Sequence, residues 1–170
     1  MQLGWQSSQM TFAHDGLRDS LTHLAAPPYF YENLRRELAT AQRNKSTLLL
    51  IRFQLIPNKV DSDEFDSHEV DSTGAERASI YEQSILSFAE TIKNQTRAED
   101  LCARLGQYEF TMIVKAGVDV GRNLSRRVME SWRSDDFVCT QSLVQAAYGE
   151  SSLELLNRLD NEELLPYSRS

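Results

Sequence analysis

Arg97 and Asp100 place a planar donor fork three residues ahead of a carboxylate acceptor, just before a short run of strand formers. On its own the pair also reads as a surface ion pair near a helix terminus, worth under ~1 kcal/mol. Glu109 follows Gly106-Gln107-Tyr108 and precedes Phe110. Such a carboxylate could act as a lone acid or base, or simply be solvated beside a turn. Arg97, Arg104, Arg126 and Arg127 could together make a small positive site on an otherwise acidic body.

Composition narrows the field. The 170 residues are 41% hydrophobic and 25% charged, which fits one globular domain with a proper core. The net charge of −7 argues against a surface that wraps nucleic acid, although it leaves room for a nucleotide ligand. No window approaches the ~18 apolar residues that would span a bilayer, and no secretory leader is visible, so a cytoplasmic protein is expected. Cys102 and Cys139 fall in strand-like runs without ligand spacing and read as reduced core residues.

The elements that must position these groups follow in order. Residues 1–14 have little periodicity and read as a leader or linker, with a single domain over 15–170. Asp19 or Ser20 could cap a turn before the first long helix. Pro27-Pro28 suits a helix start, and Phe30, Leu34, Leu38 and Ala41 then recur at helical spacing. Ser46 to Leu55 is nearly all apolar, hence a central strand. Residues 60–77 hold Asp61, Asp63, Glu64, Asp66, Glu69, Asp71 and Glu76. Phe65 breaks any calcium-loop pattern there, so the stretch reads as a solvated acidic loop insertion.

A helical stripe follows at Tyr81, Ile85, Phe88, Ala89 and Ile92. Leu101 to Leu105 and Phe110 to Val114 then flank a tight turn expected at Gly106-Gln107, where glycine tolerates positive φ. Val120, Leu124, Val128 and Trp132 suggest another helix, Phe137 to Ala146 a further strand, and Leu153 to Leu165 a closing helix. Strands alternating with helices, plus one hairpin, give an α+β fold with helices on both faces of a mixed sheet.

Leu105-Gly106-Gln107-Tyr108-Glu109-Phe110 resembles an altered form of the signature of GGDEF domains, the bacterial diguanylate cyclases that join two GTP molecules into cyclic di-GMP. Asp19-Ser20-Leu21-Thr22-His23-Leu24 is similar to that family's opening motif, Asp-x-Leu-Thr-Gly-Leu. Leu48 to Gln54 resembles its first core strand, and Thr140-Gln141-Ser142-Leu143 its Thr-x-Ser-Ile. Arg97-x-x-Asp100 matches the spacing of its product-binding inhibitory site. The likeness covers Asp19 to Tyr167 and implies a nucleotide-cyclase-like, ferredoxin-like βαββαβ core whose hairpin carries the signature.

The resemblance also implies what has changed. Relatives that turn over GTP carry aspartates on the first strand; here Arg52 and Gln54 stand there. The third signature residue, expected to be a metal-binding carboxylate, is Tyr108, and the second glycine is Gln107. Tyr81-Glu82 fall where Gly-Asp is expected, and the closing Ala-Lys and Gly-Arg-Asn elements are missing. A guanidinium cannot ligate magnesium, and at ~4 Å it repels a dication by roughly 8 kcal/mol at an effective dielectric near 20. No catalysis and no magnesium cofactor are therefore expected.

The inhibitory-type pair remains. By the resemblance, Arg97 would read the O6 and N7 edge of a guanine or a phosphate, Asp100 would accept from N1 and N2, and Arg127, or next Arg126, would complete the site. The expectation is a catalytically inactive domain that binds cyclic di-GMP as a regulatory ligand. It would signal to a protein partner or a fused sensory or output domain, with a homodimer possible. The alternative is a nucleotide-free interaction or dimerisation module; an allosteric GTP-binding domain and an active cyclase rank lower.

Overall fold

A computed structural model describes residues 12–58 and 70–167, the side chains of 70–73 excepted. Most of the expected leader, and the acidic stretch 59–69, lie outside the described residues. The elements run α1 (Pro27–Asn44), β1 (Leu49–Pro57), α2 (Val70–Gln95), β2 (Leu101–Gly106), β3 (Glu109–Val114), α3 (Val118–Ser131), β4 (Phe137–Gln145), α4 (Ser152–Asn161) and β5 (Leu165–Pro166). From β1 to β4 this is the expected βαββαβ core.

The five strands form one sheet in the order β2-β3-β1-β4-β5. Every named strand pair is antiparallel, and the parallel contribution is the bridge from Ala25 to Ala103. The outer edge of β2 is thereby engaged at its middle: Ala25 N–H donates to Cys102 O at 3.0 Å, and Arg104 N–H donates to Ala25 O at 3.0 Å.

Central β1 explains its own composition. Alternate side chains point to opposite faces. Leu49, Ile51, Phe53 and Leu55 enter a core with residues of α2 and α3, while Leu50 enters a second core with α1 and α4. Both faces are covered, so the strand is apolar almost throughout. Arg52 and Gln54 are the polar exceptions, two residues apart on the face toward α1 and α4.

Local chemistry sets the helix ends. α1 starts on prolines at its first positions, with Ala26 as an N-cap that makes no side-chain bond. Asp19 and Ser20 are therefore not its caps, because the chain turns back before the helix begins. Asp19 instead closes that turn, its Oδ2 accepting from Thr22 N–H at 2.8 Å and Thr22 Oγ1 at 2.7 Å. α4 begins with a reciprocal capping box between Ser151 and Glu154.

Three expectations for the helices are revised. α2 starts at Val70, so the second half of the expected loop is helical; Ala75, Glu76 and Arg77 are good helix formers, and acidic residues suit a helix N-terminus. α3 buries Gly121, Leu124, Ser125, Val128 and Met129, leaving Val120 exposed. A strict four-residue spacing drifts around a helix of 3.6 residues per turn, and the true stripe follows the i, i+3, i+4, i+7 rule. α4 stops at Asn161, after which Leu165 and Pro166 pair with Gln141 and Thr140.

The hairpin turn lies at Gln107-Tyr108, not Gly106-Gln107. Gly106 pairs with Glu109 after a register shift that leaves Leu105 as an extra residue, and neither turn residue has positive φ. The bulge supplies the local twist for which a glycine turn was expected.

Candidate functional site

At one end of the sheet, α2 gives way to a short turn before β2. Asp100 N–H donates to Arg97 O at 3.1 Å, and Asp100 Oδ2 accepts from Arg97 N–H at 3.2 Å. The carboxylate thus shapes the turn that carries the arginine. The Arg97 side chain is 69% exposed and meets Glu99 at only 3.9 Å. In that geometry water screens the attraction, so the guanidinium is held loosely.

Arg127 arrives from α3. With Arg97, Asp100, Lys115 and Asn123 it lines an open cleft of about 230 Å³. Arg126 is not part of that lining and donates to Asn123 Oδ1 at 3.3 Å. Arg97, Asp100 and the preferred third residue, Arg127, therefore share a cleft, and the second choice, Arg126, lies outside its lining.

The signature end is built differently. Arg52 is 8% exposed and donates from Nη1 to Asp160 Oδ1 at 3.2 Å, a contact across 108 residues of chain. Glu109 faces the same side of the sheet beside a cleft of about 530 Å³ that Tyr31, Thr111 and Asp160 also line. Burial holds the Glu109 carboxyl above its ordinary pKa, with Arg52 opposing that rise and Asp160 adding to it. Gln54 contributes its backbone carbonyl, which accepts from Thr140 Oγ1 at 3.0 Å.

Tyr108 does not face this cleft. Its ring lies 5.3 Å from Phe137 and 6.4 Å from Tyr81, and Tyr81 lies 4.7 Å from Phe137. Two residues that replace expected polar or glycine positions thus meet in one aromatic cluster on the opposite face. With Arg52 paired to Asp160, Glu109 is the one carboxylate left among the expected metal positions. That donor set does not suit magnesium, which takes near-octahedral oxygen ligands.

Sequence reasoning missed the strongest polar contact near the signature. Arg104 and Asp19, both fully buried, pair at 3.1 Å, and Arg104 also donates from Nη2 to Gln107 O at 2.9 Å. Phe12 lies under the same guanidinium at 5.2 Å, and Lys93 Nζ donates to Thr22 O at 2.7 Å. The opening motif and the turn are thus tied through one side chain. An arginine inside an apolar strand run was the available signal, since a buried charge requires a partner.

The sequence family described as diguanylate cyclase, GGDEF domain, matches residues 17–133. The chain belongs to the GGDEF family. No curated protein matches its sequence. Among solved structures, this GGDEF domain resembles that of DgcB from Caulobacter crescentus in complex with c-di-GMP, at 21% identity and a TM-score of 0.68, covering 88% of each chain. It resembles the FimX GGDEF domain from Pseudomonas aeruginosa at 15% identity and a TM-score of 0.67, covering 85% of this chain and 89% of that one. Diguanylate cyclase SiaD from Pseudomonas aeruginosa, solved with its activator SiaC, matches at 21% identity and a TM-score of 0.66. There the match covers 85% of this chain and spans 55% of SiaD. At these identities the likeness concerns the fold. Among the described residues no helix of this GGDEF domain is long and apolar enough to cross a membrane.

Proposed function

We propose that this GGDEF domain is a catalytically inactive receptor for cyclic di-GMP. The observation that carries the reading is the shared cleft of Arg97, Asp100 and Arg127, with the Arg97 fork exposed and held only loosely. A guanine edge would receive the fork, and its N–H pair would meet Asp100. The DgcB structure with c-di-GMP supports the ligand class. Arg52, held by Asp160, and Tyr108, packed on Phe137, support the loss of turnover. Cyclases need metal and positioned charge around the triphosphate.

Titration calorimetry with cyclic di-GMP is the test. The expected result is a micromolar Kd, about −8 kcal/mol, weakened at least about tenfold by Arg97→Ala. No heat at tens of micromolar, or an affinity indifferent to Arg97, overturns it. Incubation with GTP and magnesium is expected to release no pyrophosphate. The rival reading, a docking module that binds no nucleotide, draws on the SiaD complex with SiaC. It requires the melting temperature to stay unchanged with cyclic di-GMP, whereas a receptor at 100 times its Kd gains about 2.7 kcal/mol.

A further inference from the structure

Thr111, Arg52 and Ser142 stand side by side across β3, β1 and β4. Each carries a buried polar atom without a partner among the described residues: Thr111 Oγ1, Arg52 Nε and Ser142 Oγ. Burying such a group unpaired costs about 1–3 kcal/mol, so three in one row mark a place built around polar chemistry. Thr111, fully buried, also lines the cleft of about 530 Å³ with Tyr31, Leu105, Glu109, Leu156 and Asp160.

The charges there decide what the cleft accepts. Arg52 from β1 is matched by Asp160 from α4. Glu109 is then a half-buried carboxylate with no hydrogen bond among the described residues, faced also by Tyr31 from α1. One negative charge is in surplus. Phosphates meet two carboxylates and are repelled. Hard dications lack further anionic oxygen and meet the Arg52 charge. A monovalent organic cation needs only one anionic partner and meets half that repulsion from Arg52, and the leucines of the wall suit an aliphatic stem.

We propose that this cleft binds an aliphatic ammonium or guanidinium group, which donates to Glu109 while its stem packs on Leu105 and Leu156. The group comes from a free small molecule or from a lysine or arginine of a partner protein. The cleft lies at the other end of β2 from Arg97, so this proposal and cyclic di-GMP binding can fail separately.

The test is an NMR titration of the full chain at pH 7 with n-butylguanidinium, and in a second arm with the peptide acetyl-Leu-Arg-Leu-amide. Saturating shifts centred on Glu109, Thr111 and Leu156 are expected. Glu109→Gln should weaken binding about tenfold, the loss of one charge-assisted hydrogen bond, and Arg97→Ala not at all. Lowering the pH toward 5 should weaken binding, because protonation removes the Glu109 charge. Saturation by n-butylguanidinium alone assigns the source to a free small molecule, and tighter binding of the peptide assigns it to a partner side chain. Failure of both ligands to saturate, indifference to Glu109→Gln, or shifts scattered over surface carboxylates overturns the proposal.

Discussion

Arg104 and Asp19 are each fully buried, so each depends on the other for the charge it lost from water. Asp19→Ala should cost about 3–5 kcal/mol, read as a lower urea midpoint, because it strands a buried guanidinium. Asp19→Ala combined with Arg104→Met should cost less than the sum of the two single changes, since no unpaired charge is left. Glu109 behaves in the opposite sense. Its carboxyl is held above the ordinary range by burial, so the folded state binds the proton more tightly than the unfolded chain does. Stability at this position is full below the unfolded glutamate range near ~4.3 and falls as pH rises through the folded value. Glu109→Gln should therefore raise the melting temperature at pH 7, and the gain should vanish near pH 4.

At the scale of elements, Phe88 shows how α2 is held on the sheet. It is fully buried, with Phe110 at 4.9 Å, Trp132 at 5.1 Å and Phe53 at 5.6 Å between ring centroids. Phe88→Ala should destabilise by about 3–5 kcal/mol in chemical denaturation. Elements with a strong period were legible from sequence alone: α1 through Phe30, Leu34, Leu38 and Ala41, α2 through Ile85, Phe88 and Ile92, β1 through its unbroken apolar run. Boundaries set by pairing were not. The turn moved because Leu105 is an extra residue whose presence shows only when β2 meets β3. The end of α4 moved because Leu165 and Pro166 gain partners on β4, which no local pattern announces.

Across the whole molecule, the candidate cleft was readable where its parts lie close in sequence, as with Arg97 and Asp100. It was not readable where distant residues decide the chemistry. Asp160 neutralises Arg52, and Tyr81 meets Tyr108, only after the chain has closed on itself. The interior also sets reactivity. Cys102 and Cys139 are free thiols whose pKa burial pushes up to about 12, so little thiolate is present near neutrality. Modification by a disulfide reagent at pH 8 should be slow in buffer and rapid in denaturing urea. The bridge from Ala25 to Ala103 has a consequence for how copies meet. A free strand rim is the usual invitation to runaway stacking, and here the middle of that rim is engaged by the chain's own opening segment. Strand addition by another copy along the middle of β2 is thereby disfavoured.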